Sequence, residues 1–410
     1  MTRPILQPNP AAGSSMNQHP TANALPPVGQ AARHLFCLED GVAFLNNGSF
    51  GATPRAVLAA QQNWRDRMEA QPVRFMHREL PVAIRQAAGI VGGFLNAHGD
   101  DLVFVDNATS GVNAVVRSLD FRPGDELLTT SHVYGAVRKT LLYVAERTGA
   151  KLVEAPLRYP GTHPDGTVAA IDAAITPRTK LLVVDTITSP TALVLPIVEI
   201  VAAARRRGVP VLVDAAHSPG QAPLDIAAID ADWVTGNMHK WLFGVRSSAF
   251  LWTRKEHQAT THPTVISHGL GAGYIAEFDW VGTRDPSPWL ASGAAVEFWR
   301  TMGGNALMAR NRALAAEAAA MLEKRLGVAS AAPQTMRAAM QTIELTRHGP
   351  ATFENAKRLT ARLEDAHDIA APIIAFGDRL WVRISAQIFN EMPDYERLAT
   401  ALDAERAPTS

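Results

Sequence analysis

Four short segments hold the side chains best suited to chemistry. VPVLVDAAHSPG places Asp214 at the end of an apolar run and His217 three residues later. A carboxylate buried there needs a cationic or hydrogen-bonding partner, unless it simply caps the next turn. DWVTGNMHKWLFG sets Lys240 among Trp233, Val234, Met238, Trp241, Leu242 and Phe243. Apolar surroundings disfavour an ammonium, lower the lysine pKa and make the amine a nucleophile for a carbonyl. The plainer alternative is a lysine whose stem covers apolar surface while its head reaches water. VDNATSGVNAVV brings Asn107, Ala108, Thr109 and Ser110 to a strand-to-helix junction, which suits a phosphate at a helix N-terminus or an ordinary N-cap. TTSHVYGAV puts His132 and Tyr134 after another strand, where an aromatic ring could cover a planar ligand or pack into the core.

Such groups act together only if the backbone gathers them. From Leu102 to Trp252 a β-branched or aliphatic run, a turn and an Ala-rich helical pattern alternate. The runs are LVFV from Leu102, ELLTT from Glu126, KLVEAP from Lys151, KLLVVD from Lys180, VPVLVD from Val209, DWVTG from Asp232 and SAFLW from Ser248. Several are apolar on both faces, as strands covered by helices on both sides require, so an α/β fold around a mainly parallel sheet is expected. Ligands in such sheets bind beyond the carboxyl ends of the strands, where the four segments lie. After Pro286 an Ala, Met and Glu-rich stretch, broken at Gly303-Gly304, reads as a connecting helix pair reaching Arg325. MQTIEL from Met340 and RLWVRIS from Arg379 alternate with helical patterns from Phe353 and Asp394, which predicts a small α+β domain.

The whole composition narrows the function classes. The 410 residues carry 39 basic and 39 acidic side chains, so no net field points to nucleic acid or an anionic membrane. The one cysteine, Cys37, precludes an internal disulfide and a cysteine-based zinc site. No apolar run approaches the ~18 residues of a membrane span, and the first thirty residues lack the apolar core of a secretory signal. A soluble cytoplasmic protein with a flexible tail over 1–32 is expected. HGLGAG from His268 resembles a dinucleotide loop, but Tyr274 replaces its third glycine and no helix pattern follows. His262 and His268 lack helical spacing and thiol support for a metal site. The segment before Phe44 is too short and uncharged for a helix-turn-helix module.

The joint order of the four segments is more specific than any one. A phosphate-type loop is followed by an aromatic residue, then Asp-x-x-His 80 positions after Tyr134, then His-Lys, with Lys240 23 positions past His217. This order resembles the pyridoxal-phosphate enzymes of fold type I, in particular the class V aminotransferase group and its isopenicillin N epimerase-like branch. The likeness rests on FLNNGSFG from Phe44, DNATSGVN from Asp106, HVYGAV from His132, DTITSPTALVLP from Asp185, VDAAHSPG from Val213, TGNMHKWL from Thr235, GTRDPSPWLA from Gly282 and RIS from Arg383.

The resemblance implies a large cofactor-binding domain over 53–290 with a seven-stranded sheet, a small domain over 291–410, and a segment 33–52 packed on the latter. It implies pyridoxal 5'-phosphate held by Lys240 as an internal aldimine, with Asp214 on the pyridine nitrogen and His217 near the phenolic oxygen. Tyr134 or His132 would cover the opposite ring face. Ala108, Thr109, Asn237 and His239 would take the phosphate, with Thr283 reaching it from the neighbouring subunit of a homodimer. Thr188-Ser189-Pro190 stands where many cysteine desulfurases carry Asn, and Ser189 would join the cofactor-binding residues. Arg383 would grip the substrate carboxylate, near Asn47, Gly48 and Arg284. With Cys37 the only thiol, a persulfide-forming desulfurase is rejected. The implied reaction starts from an external aldimine of an amino acid and loss of its Cα proton, ending in epimerisation first, with C–S lysis or aminotransfer as alternatives.

Overall fold

A computed structural model describes residues 26–406. A two-residue strand β1 (Ala43–Phe44) precedes the seven expected runs, and all seven are strands. They are β2 (Leu102–Val105), β3 (Glu126–Thr130), β4 (Lys151–Ala155), β5 (Thr179–Asp185), β6 (Val211–Asp214), β7 (Trp233–Asn237) and β8 (Ala249–Thr253). They form one sheet in the order β2-β8-β7-β6-β5-β3-β4. Only β8 runs against its neighbours β2 and β7. The double-sided apolarity has a direct cause. Val103 and Val105 join the core on one face of the sheet, while Leu102 and Phe104 join the core on the other, because successive side chains point to opposite faces.

A second core belongs to the C-terminal part. β9 (Met340–Glu344), β11 (Ile373–Phe376) and β12 (Arg379–Ser385) form an antiparallel sheet with β12 central. Ile343, Val382 and Ile384 pack there with Leu359 and Leu363 of helix Phe353–His367 and Leu398 and Leu402 of helix Met392–Ala404. The expected helix pair is Ser292–Thr301 and Asn305–Leu326, separated by Gly303 and Gly304 with φ of 108° and 54°, conformations that favour glycine. The longer helix serves both cores: Leu307 lies in the large one, and Ala315, Ala318 and Leu322 lie in the small one.

The N-terminal segment also spans both parts. β1 pairs in parallel with β10 (Ile369–Ala370) of the small domain, while Phe36 packs edge-on against Phe298 and Phe389 and tilted on Phe243. Of the expected tail over 1–32, residues 1–25 lie outside the described residues; Gly29–Leu35 is a 3-10 helix whose Gly29 amide donates to Ile388 O at 2.7 Å. A short helix, Tyr274–Asp279, follows the HGLGAG loop after all, since the buried Tyr274 anchors it by donating its hydroxyl to Leu251 O at 3.1 Å. Among the described residues no helix is long and apolar enough to cross a membrane.

Candidate active site

Lys240 lies just past the carboxyl end of β7, in a turn clamped by residues 47–51. Asn47 Nδ2 donates to Lys240 O at 2.9 Å and the Gly51 amide donates to His239 O at 3.2 Å. A Cβ on residue 51 would collide with the Lys240 carbonyl, so only glycine allows this approach. Above the turn, Lys240 Nζ sits 3.3 Å from His217 Nε2 and 6.0 Å from the centre of the Tyr134 ring. Trp241 Nε1 donates to His217 Nδ1 at 3.4 Å, which leaves the imidazole proton of a neutral His217 on Nε2, facing the amine. Burial, then the Arg383 charge, bring the Lys240 pKa down to about 8, against the opposing pull of Asp214 and Asp185. Burial and then the Lys240 and Arg383 charges hold His217 well below its ordinary value. A neutral imidazole thus faces an amine that is partly free base near neutral pH.

Asp214 ends β6 directly beside Asp185, which ends β5 in the same register. Asp214 Oδ1 accepts the Ala216 amide at 2.9 Å, while Asp185 Oδ2 is buried without a partner. Burial, then the charge of Asp214, raise Asp185 well above the carboxylate range; burial also raises Asp214, opposed by the Ala216 N–H and Lys240. Two such groups side by side cannot both ionise cheaply, so Asp214 is the better anion and Asp185 the better acid. A cationic or protonated ring nitrogen is the kind of partner that this cradle lacks.

The third component is the start of helix Ala108–Ser118, which follows β2. Asn107 caps it, accepting the Ser110 amide at 2.9 Å, and the Ala108 amide donates to Asn237 Oδ1 at 2.8 Å, tying the helix end to β7. Gly111 has no room for a Cβ beside Thr235, so the helix lies tight on the sheet. His239 Nδ1 donates to Ser248 O at 2.9 Å; burial, then the Lys240 charge, lower its pKa to about 4. The backbone dipole and the Thr109 hydroxyl can accept a phosphate, and His239, with only a lone pair at Nε2 while neutral, joins them once the phosphate's charge brings it a second proton.

Arg383, on β12, is buried and its Nη1 donates to Ser189 O at 2.6 Å and Oγ at 3.2 Å, while Nη2 donates to Ser49 Oγ at 2.7 Å. Its Nε is buried without a partner. The Nε–Nη2 edge is the one with which Arg138 grips Glu154 and Arg207 grips Asp172 in this same molecule. In Arg383 that edge faces only a serine hydroxyl, leaving a carboxylate-binding fork incomplete.

The other expected residues take varied places. Tyr134 precedes helix Gly135–Thr148 and is 43% exposed, whereas His132 is wholly enclosed, with Nδ1 2.7 Å from Thr191 Oγ1 and Nε2 3.2 Å from Leu157 O. Asn47 is spent on the lysine backbone and on the Ala52 amide, and the Gly48 amide donates to Ser385 Oγ at 3.2 Å. Thr283 is exposed, and the neighbouring Arg284 pairs with Asp106 and lies 4.0 Å over the Trp289 ring. Asp185, Ser49, Gly51 and Trp241 were not singled out from sequence. Asp185 had a signal, since KLLVVD ends as VPVLVD does; Gly51 acts through backbone approach, Trp241 through a ring nitrogen and Ser49 through a hydroxyl on a distant arginine, which spacing does not reveal.

The profile of the family described as aminotransferase class-V matches residues 43–398. The chain is 30% identical over 398 residues to L-cysteine desulfhydrase of Arabidopsis thaliana, covering 89% of this chain and 88% of that one. It is 32% identical over 392 residues to isopenicillin N epimerase of Amycolatopsis lactamdurans, covering 90% and 97%. Its fold matches a lysine-to-alanine mutant of C-DES with glycine covalently linked to the PLP cofactor, at a TM-score of 0.76 and 22% identity over 92% of this chain and 99% of that chain.

Proposed function

The chain belongs to the aminotransferase class-V family, and from that membership and the site geometry we propose a pyridoxal 5'-phosphate enzyme that removes the Cα proton of an amino acid and expels a thiol from Cβ, a C–S lyase of the desulfhydrase type. The observation that carries the reading is a buried lysine amine with pKa about 8, against a neutral imidazole and beside a buried carboxylate pair. When bound, the cofactor supplies an electron sink for the charge left on Cα.

Everything else is the work of this chain. Asp214 holds the ring nitrogen protonated, and its burial strengthens that pairing. Thr109, by its amide and hydroxyl, Asn237 and a His239 protonated by the phosphate's charge hold the phosphate, the Ala108 amide being spent on Asn237, with Thr283 contributing from the second chain of a homodimer. His217 donates from Nε2 toward the oxygen rim beside the lysine. Tyr134 covers the ring face away from Lys240. Arg383 grips the substrate carboxylate by its Nε–Nη2 edge, which turns the Cα–H bond toward Lys240. Lys240 Nζ takes that proton as a free amine and hands one to the departing thiolate.

Elimination suits this site because it needs one proton carrier, and Lys240 is one. His132 has both ring nitrogens committed to Thr191 and Leu157. A second reading, epimerisation, has the Tyr134 phenol in its favour, a group across from Lys240 that could return a proton to the other face. Persulfide chemistry has no thiol nearby, since Cys37 lies exposed in the N-terminal segment. Incubation of the holoenzyme with L-cysteine in deuterated water separates these outcomes. Sulfide and pyruvate in equal amounts are expected. Loss of optical activity with Cα deuteration of L-amino acids and no sulfide from L-cysteine would show epimerisation instead, and no Cα exchange with any amino acid would overturn both readings.

A further inference from the structure

The connection between β5 and β6 contains a hydrogen-bond chain that none of the roles above uses. His132 is 0% exposed, edge-on to Tyr159 and tilted on Phe376, with centroid distances of 5.6 and 4.7 Å. A carbonyl only accepts, so the 3.2 Å contact with Leu157 O puts the proton on Nε2 and leaves Nδ1 as the acceptor. Thr191 must then donate to Nδ1 across 2.7 Å, and the 2.7 Å contact between Thr191 and Thr188 hydroxyls must run from Thr188. Thr188 Oγ1 in turn accepts the Leu193 amide at 2.9 Å. This proton order satisfies every member, and it requires a neutral imidazole.

The chain holds a turn of definite shape. Ala192 adopts φ 56°, and its amide donates to Thr188 O at 2.9 Å. Thr191 O accepts from Thr342 Oγ1 at 3.2 Å, and Thr342 is the register partner of Arg383. Inside the turn sits Ser189, whose carbonyl and hydroxyl both receive Nη1 of Arg383. Anchoring Nη1 is what leaves the Nε–Nη2 edge to face the site. His132 touches neither Ser189 nor Arg383 by hydrogen bond, yet it braces the hydroxyl that braces the turn.

We propose that His132 is a positioning residue for substrate carboxylate recognition, fixing the 188–191 turn through Thr191 so that Ser189 aims Arg383. The proposal rests on the reading of Arg383 as the carboxylate-binding residue. Without the imidazole, the Thr191 hydroxyl loses its acceptor and Leu157 O its donor in a buried place, and the turn relaxes to find others.

Two variants remove the link from opposite ends. His132→Phe keeps a ring between Tyr159 and Phe376, and Thr191→Val removes only the hydroxyl. Absorption titrations of the holoenzymes with L-alanine and with ethylamine, which lacks the carboxylate, read the effect without turnover. In both variants L-alanine binding is expected to weaken about tenfold or more, with ethylamine changed less than about threefold. In an Arg383→Gln background, adding His132→Phe should change L-alanine binding by less than about threefold. Equal weakening for both amines, or unchanged L-alanine binding in both variants, would overturn the role of His132. If Arg383→Gln itself leaves L-alanine binding intact, the reading of Arg383 is what fails, and the proposal with it. Should His132→Phe not fold, Thr191→Val decides.

Discussion

At the scale of single residues, the protonation of Lys240 sets what the site does at a given pH. An amine attacks a carbonyl only as the free base, and burial with the Arg383 charge places its pKa at about 8 rather than in the ordinary lysine range. Capture of cofactor by the apoenzyme should therefore speed up about tenfold per pH unit below 8 and level off above it. Stopped-flow reconstitution across pH 6 to 10 checks this, and a rate still climbing at pH 10 would show an ordinary lysine. The lysine was legible in sequence because its apolar neighbours are adjacent in the chain, from Trp233 to Phe243. The carboxyl neighbour of Asp214 was harder to see. Asp185 lies beside it only because β5 and β6 pair in register, a relation between strands that no local pattern states. His132 shows the opposite limit, since its residue type suits catalysis but the fold encloses it among Tyr159, Phe376 and Thr191.

At the scale of elements, the segment from Asn47 to Gly51 ties the two halves of the site together. It holds the Lys240 turn through Asn47 and Gly51, and it meets Arg383 through Ser49. Gly51→Ala should push the segment away from the Lys240 carbonyl, costing about 1–3 kcal/mol of stability and weakening L-alanine binding together with cofactor retention. Thermal unfolding and a cofactor-release assay on the same preparation test it. Wild-type values in both would mean that the close approach is not needed. β2, β5 and β6 were legible because burial on both faces forces nearly unbroken apolar runs, while β4, half-buried at the sheet edge, was marked by its place in the strand–helix alternation. β1, β10 and β11 were not, being two to four residues long and defined by their partners rather than by any periodicity of their own. The helix after HGLGAG escaped notice for a related reason: it is six residues long, anchored by Tyr274, Glu277 and Phe278, too short for a repeat.

At the scale of the whole molecule, two cores share one helix. Asn305–Leu326 places Leu307 in the large core and Ala315 to Leu322 in the small one, which links the lysine-bearing sheet to the strand that carries Arg383. A composition shift after Pro286 marked this junction in the sequence, but a helix that contributes to both cores has no single boundary to mark. The exposed Thr283, next to an Arg284 fixed by Asp106 and Trp289, suits a residue that completes the site of a second chain. Sedimentation equilibrium of the holoenzyme should give twice the chain mass, and Thr283→Ala should weaken cofactor retention about tenfold. Full retention in a monomer would remove the shared site.

The measurement closest to the centre of the proposed chemistry is borohydride reduction of the holoenzyme followed by peptide mass mapping. The expected result is one pyridoxyl adduct per chain, on the peptide containing Lys240, lost in Lys240→Ala while Asp214→Asn keeps the adduct but binds cofactor less tightly. An adduct on any other lysine, or none in a protein that holds the cofactor, would contradict the assignment of this buried amine.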